Sequence, residues 1–240
     1  MKRIPALLIV GMLAVSGCSK REYKPEPYSP ELVKKAEAGD ADAQCKLGGC
    51  YSFGRGVAVD FSQAYMWFTK SAEQGNAGGQ TSLGCCYHTG EGVAQDYKEA
   101  VKWYTKAAEQ GDAEAQCNLG VCYNYGQGVA EDHEEAVKWY TKSAEQGMEL
   151  AQFNLGVCYY EGKGVSKDWK EAAKWYRKSA EQGYGEAQLA LGSCYKNGWG
   201  VGKDEKEAVK WFAKAAEQGY EPPKEMLDKG RERLERLKSK

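Results

Sequence analysis

Several things are scarce in this 240-residue chain, and each scarcity removes a class of protein. Only two histidines occur, His88 and His133, and Cys85-Cys86-Tyr87-His88 has no second ligand pair at zinc-like spacing. No metal and no cofactor is therefore expected. Net charge is almost absent, with 33 basic side chains against 34 acidic ones, so no basic excess draws in nucleic acid. Prolines number six, three of them in the stretch Ser19–Pro30 and two at Pro222-Pro223. The apolar run from Ile4 to Val15 is well short of the roughly 20 residues that span a bilayer. No G-x-G pair continues as G-x-G-x-x-G, which sets nucleotide binding aside. Against these gaps stand 29 glycines, 16 tyrosines, seven tryptophans and nine cysteines, counts that suggest one short motif written several times.

The first residues have the layout of a secretion signal. Lys2 and Arg3 precede the apolar run, which ends in Val15-Ser16-Gly17-Cys18. This ending resembles a bacterial lipobox, in which the cysteine is acylated and becomes the mature N-terminus. Residues 1–17 are thus predicted to be a lipoprotein signal peptide, Cys18 the lipidated residue, and 18–30 a proline-rich, semi-rigid tether. Ser19 directly after the cysteine favours the outer membrane of the bacterial cell envelope by analogy with known sorting rules. The lipid is then the only membrane contact.

Self-comparison decides the rest. AEQG begins at Ala72, Ala108, Ala144, Ala180 and Ala216, always 36 residues apart, with AEAG at Ala36. Tryptophans 67, 103, 139, 175 and 211 keep the same step, as do the Leu-Gly pairs from Leu47 and the Cys-Tyr pairs from Cys50. Five gapless repeats follow, at 40–75, 76–111, 112–147, 148–183 and 184–219. A capping helix is expected at 31–39 and a charged one at 220–240.

Within the third repeat, Ala115, Leu119, Cys122 and Tyr123 recur at i, i+4, i+7 and i+8, the stripe of an amphipathic helix. Gly120 on its flank permits close helix approach, and Gly126 and Gly128 supply a turn. Asp132 with Glu135 fits a capping box opening a second helix, whose stripe includes Ala136, Trp139, Tyr140 and Ala144. Each repeat reads as helix, glycine turn, helix. One such pair cannot cover its own apolar faces, so neighbours must stack.

These units, AEAQxNLGVCYxxGxGV followed by D-x-x-E-A-x-x-W-Y-x-K-A-A-E-Q-G, resemble Sel1-like repeats, relatives of tetratricopeptide repeats. The second repeat departs from the pattern with Gly78-Gly79 in place of Glu-Ala. The resemblance implies an all-α fold, an α/α solenoid that scaffolds protein–protein contacts, with no enzymatic activity. A cysteine-rich branch of the family has been credited with weak β-lactam hydrolysis, and Ser193-Cys194-Tyr195-Lys196 matches S-x-x-K. No S-D-N or K-T-G triad accompanies it, and a chance match is the better reading.

Setting Cys18 aside, all cysteines fall on first helices. Equivalent ones in neighbouring repeats should lie a helix-packing distance of about 8–10 Å apart, too far to bridge. The row Cys50, Cys86, Cys122, Cys158 and Cys194 is read as small core filling with unreactive thiols. A bridge involving Cys45, Cys85 or Cys117 stays open.

Positions that recur hold a repeat fold, and exposed positions that differ are where a ligand is read. The first helices of such solenoids usually line the concave side. There the face away from the Leu/Tyr stripe carries Cys45, Thr81, Cys117, Phe153 and Leu189, then Gly49, Cys85, Val121, Val157 and Ser193, then Ser52, His88, Asn124, Tyr160 and Lys196. Phe53 and Tyr125 share a helix end, and Trp199 holds a turn position taken elsewhere by Arg55, Glu91, Gln127 and Lys163. Phe53, His88, Val121, Tyr125, Phe153, Val157, Tyr160, Leu189, Lys196 and Trp199 are therefore the candidate contacts for an unidentified protein or peptide, with Phe153 and Tyr160 central. Trp169 reads instead as a staple against the neighbouring turn. Two bland alternatives stand beside this: the face is simply buried, or the array is a structural spacer without a ligand groove.

Overall fold

The computed structural model describes residues 27–221. The predicted signal peptide, Cys18, most of the tether and nearly all of the charged C-terminal segment lie outside the described residues. Within them are eleven α-helices and no strand: α1 (Pro30–Glu37), α2 (Ala41–Phe53), α3 (Phe61–Glu73), α4 (Ala77–Thr89), α5 (Tyr97–Glu109), α6 (Ala113–Tyr125), α7 (His133–Glu145), α8 (Glu149–Glu161), α9 (Trp169–Glu181), α10 (Gly185–Asn197) and α11 (Glu205–Glu217). The fold is all-α, a run of α/α repeats, with α2, α4, α6, α8 and α10 as first helices. The described residues group into two compact bodies, one ending at Trp139 and one beginning at Tyr140.

Local chemistry sets each boundary. Asp40, Asn76 and Asp112 cap the first helices of the N-terminal body by accepting from the N–H groups of Ala43, Gly79 and Ala115. Second helices open on Asp60, Asp96, Asp132, Asp168 and Asp204, whose carboxylates accept from the residue three positions on. First helices end on Gly54, Gly90, Gly126, Gly162 and Gly198, all left-handed, with φ between 65° and 81°.

The two helices of a repeat meet through the Leu-Gly pair. Leu47, Leu83, Leu119, Leu155 and Leu191 are fully buried, each contributing roughly 1.5–3 kcal/mol by leaving water. The adjacent glycine lets an aromatic ring lie flat on the helix. A Cβ on Gly84 would come within 2.6 Å of the Tyr104 ring, and one on Gly156 within 2.7 Å of the Tyr176 ring.

Successive repeats are joined by polar side chains inside the seam. Gln44, Gln80 and Gln116 donate to the carbonyls of Ala36, Ala72 and Ala108 at the end of the preceding second helix. In the C-terminal body, Gln152 and Gln188 do the same to Ala144 and Ala180. Each thereby adds a second donor to a helix-end carbonyl that already accepts from the N–H of the closing glycine. The glutamine of AEQG closes the ladder: Gln74, Gln110, Gln182 and Gln218 donate to Gln44, Gln80, Gln152 and Gln188 at 2.7–3.0 Å. The W-x-x-K spacing has its own use, since Lys70, Lys106, Lys178 and Lys214 sit 4.0–4.5 Å over the rings of Trp67, Trp103, Trp175 and Trp211.

At the start of the array, α1 takes the place of a second helix. Ser29 caps it, Leu32 and Ala36 are buried, and Tyr28 donates its N–H to the Arg55 carbonyl across the first glycine turn.

Candidate binding surface

The second glycine of each turn delivers one side chain to a fixed place. On Gly92, Gly128 and Gly200 a Cβ would collide with the backbone carbonyl of Phe61, Tyr97 and Trp169 respectively. The turn therefore lies directly on the first residue of the preceding second helix. The residue between the glycines is brought beside that helix start and beside the end of the preceding first helix. Three positions converge at every such junction.

What fills them differs. In the N-terminal body the second junction holds His88, Tyr97 and Gln127. His88 Nε2 is 2.9 Å from Gln127 Oε1, and its ring lies edge-on to Tyr97 at 4.9 Å. Burial holds the His88 imidazole below its ordinary pKa. The equivalent junction of the C-terminal body is wholly aromatic. Tyr160 at the end of α8 is 6.5 Å from Trp169 and 5.6 Å from Trp199, and the two indoles are 6.2 Å apart. Trp169 remains 40% exposed. The Lys167 ammonium lies 5.0 Å from the Trp169 ring and 5.7 Å from that of Tyr160. Burial pushes the Tyr160 phenol up, keeping it neutral.

Val157, Leu189 and Lys196 are partly exposed in this body. In the N-terminal body Tyr125 and Phe53 are exposed, and the Arg55 guanidinium sits 5.0 Å over the Phe53 ring. A hollow of about 250 Å³ beside Phe53 is lined by Asp42, Lys46, Arg55, Glu91, Asp112 and Glu114. Gly78 borders it, where the third repeat carries Glu114.

Three candidate contacts need correction. Phe153 is 3% exposed, packed between Tyr176 at 5.7 Å and Tyr184 at 5.4 Å. Val121 and His88 are buried as well. The row of Phe153 faces a neighbouring first helix, as the hydrogen bond from its member Thr81 to the Asp112 carboxylate shows for α4 and α6. Trp169, read as a staple, does pack on the neighbouring turn, but its exposure and its two aromatic neighbours make it part of a surface. Its register with Phe61, Tyr97 and His133, all large rings, was the signal available for it.

The cysteine row is buried. Cys86, Cys122, Cys158 and Cys194 are free thiols pushed up to about 12, chiefly by burial. Cys85, outside that row, is buried and its sulfur accepts from the Tyr104 hydroxyl at 3.5 Å. The Ser193 hydroxyl donates to the Leu189 carbonyl one turn back at 2.9 Å. Among the described residues no group of three or more His, Cys, Asp or Glu side chains is placed to hold a metal ion. None of the described helices is long and apolar enough to cross a membrane.

Comparison with known proteins decides the family. Residues 41–76, 77–112, 113–148, 150–184 and 185–220 each match the Sel1 repeat. The chain belongs to the Sel1 repeat family. Among solved structures, it is 44% identical to c5321, a protective antigen present in uropathogenic Escherichia coli strains that displays an SLR fold. That match has a TM-score of 0.73 and covers 79% of this chain and 40% of the antigen. A Sel1 repeat protein from Oxalobacter formigenes is 35% identical with a TM-score of 0.71, covering 79% of this chain and 82% of that one. A third, from Klebsiella pneumoniae, shares the fold at 24% identity and a TM-score of 0.56, over 89% of this chain and all of that one. No curated protein is significantly similar to the chain. Sel1 repeat proteins are generally protein-interaction scaffolds rather than enzymes.

Proposed function

We propose that this Sel1 repeat protein is a lipid-anchored adaptor of the bacterial cell envelope. It holds a protein or peptide partner on the first-helix and turn face of its C-terminal body. The observation that carries this is the aromatic junction of Tyr160, Trp169 and Trp199. The same three positions are Ser52, Phe61 and Glu91 at the first junction and His88, Tyr97 and Gln127 at the second, so the fold itself does not require three large rings there. Exposed aromatic clusters supply much contact area, and a few such residues dominate most interfaces. Val157, Leu189 and Lys196 extend the surface, and Phe53 and Tyr125 are its candidate counterparts in the N-terminal body.

The anchor rests on Cys18 and the residues before it. Replacing Cys18 with alanine should release the protein from the membrane fraction or leave it as unprocessed precursor. Unchanged processing and membrane retention would contradict the anchor. Partner holding is tested with Trp199→Gln, which installs the residue of the third repeat. Loss of partner capture is expected while the melting temperature falls far less than on Phe153→Ala. Unchanged capture would mean that the partner binds elsewhere on the array.

A further inference from the structure

The hollow beside Phe53 in the N-terminal body exists because three rows of first-helix residues reach their smallest member there. Gly49 stands where later repeats carry Cys85, Val121, Val157 and Ser193. Ser52 stands where they carry His88, Asn124, Tyr160 and Lys196, and Gly78 belongs to the row of Asp42, Glu114, Leu150 and Glu186. A Cβ on Gly49 would meet nothing within 4 Å, so the space beside it is open. We infer that this hollow is the docking site of the chain's own segment 19–26, which immediately precedes the described residues. The inference is independent of the partner reading of the C-terminal body.

The first argument is where the chain enters. Tyr28 is fastened to the edge of the hollow. Its N–H donates to the Arg55 carbonyl at 3.2 Å, and a Cβ on Gly56 would come within 3.2 Å of the Tyr28 Cβ. Its ring meets Tyr51 edge-on at 6.0 Å, and Arg55 itself lines the hollow. Between Phe53 and Asp42, which also line it, the hollow follows α2 for about 17 Å at 1.5 Å per residue. Lys24 and Glu26 each precede a proline, which favours extended backbone. At about 3.1 Å per residue, segment 19–26 can run the whole length of the hollow. A segment fastened this close has an effective concentration on the order of millimolar, so contacts too weak to hold a free peptide can keep it in place.

The second argument is charge. The hollow has four acidic side chains, Asp42, Glu91, Asp112 and Glu114, and two basic ones, Lys46 and Arg55. Asp42 accepts from the Asn76 amide, and Asp112 from the Thr81 hydroxyl and the Ala115 N–H. These bonds orient the two carboxylates without neutralising them. Segment 19–26 carries the opposite excess, Lys20, Arg21 and Lys24 against Glu22 and Glu26. Once docked it covers Phe53, and any other ligand of the hollow has to displace it.

The test places the photo-crosslinker benzoylphenylalanine at position 23 of the chain from Ser19 onward. The purified protein is irradiated and its adducts are mapped by mass spectrometry. An intramolecular adduct is expected on α2 or α4, with a yield that does not change on dilution. Replacing Lys20, Arg21 and Lys24 together with glutamate should cut that yield about fivefold. Gly49→Val, which fills the open space with the residue of the third and fourth repeats, should cut it likewise. The glutamate variant changes no residue of α1–α11, so its outcome stands whatever Gly49→Val does to the melting temperature. An adduct that fades on dilution would make a second copy the occupant and overturn the proposal. Adducts scattered over other helices, or none, would overturn it as well. So would an adduct in the hollow whose yield ignores both the charge reversal and Gly49→Val, since nearness alone would then explain it. None of these results bears on partner capture through Trp199.

Discussion

The ring of Tyr176 occupies the space that Gly156 leaves empty, so that a Cβ on that glycine would lie 2.7 Å from two ring atoms. Tyr176 is itself 3% exposed and hemmed in by Phe153, and it has nowhere to swing. Gly156→Ala is therefore expected to destabilise the protein by about 1–3 kcal/mol, the usual cost of overpacking, despite the better helix propensity of alanine. Gly49→Ala is the control. A Cβ there meets nothing within 4 Å, and helix propensity alone should raise stability by about 0.5–1 kcal/mol. Thermal melts of the two variants check both directions.

The first helices of the last two repeats start without a side-chain cap, since Met148 and Tyr184 stand where Asp112 stands in the third. The backbone at Met148, φ −63° and ψ 114°, is that of Asp112, φ −64° and ψ 115°. Met148→Asp should thus restore the hydrogen bond to the N–H three residues on and stabilise by about 1 kcal/mol. Denaturant unfolding measures it, and no gain would mean that the methionine side chain contributes as much as the lost cap.

Phe153 and Trp199 should respond unequally. Truncating the buried Phe153 to alanine removes contacts with Tyr176 and Tyr184 and should cost about 3–5 kcal/mol. Trp199, only partly buried against the same cluster, should lower the melting temperature far less when replaced by Gln.

The thiols of Cys86, Cys122, Cys158 and Cys194 should resist iodoacetamide in the folded protein at pH 8, because a group pushed to about 12 presents almost no thiolate. All four should react once the chain is unfolded. Mass spectrometry of labelled peptides from each state distinguishes them.

Much of the fold was legible because a gapless 36-residue period repeats every structural decision five times. Leu119, Gly126 and Asp132 each have four equivalents at the same spacing in the sequence itself. Two features were not legible for physical reasons. The glutamine ladder runs between residues 30 apart at the two outer ends of one repeat, and a polar side chain within an apolar stripe carries no periodic signal of its own partner. Its clue was only that Gln44, Gln80, Gln116, Gln152 and Gln188 recur in step. Phe153 was misplaced because helical periodicity gives the angle at which a side chain leaves its helix, and not which neighbour covers that angle. Cys45, Thr81, Cys117 and Leu189 share its row, and their variation from repeat to repeat is what points to a contact face. Trp169 packs on the neighbouring turn as its position beside the cap implies, yet stays 40% exposed. Its exposure depends on how the turn at Gly200 is seated, which only the structure displays.

The central claim is that the aromatic junction of the C-terminal body, rather than the repeat framework, contacts a partner. A photo-crosslinking residue placed at position 199 addresses it most directly, with the equivalent position 91 of the second repeat as internal control. Both sites lie between two turn glycines of the same geometry, so they differ in surroundings and not in local backbone. The account predicts a discrete protein adduct from position 199 in native envelopes, lost when Trp169→Tyr is added, and none from position 91. Equal adducts from both positions, or an adduct from 91 alone, would contradict it.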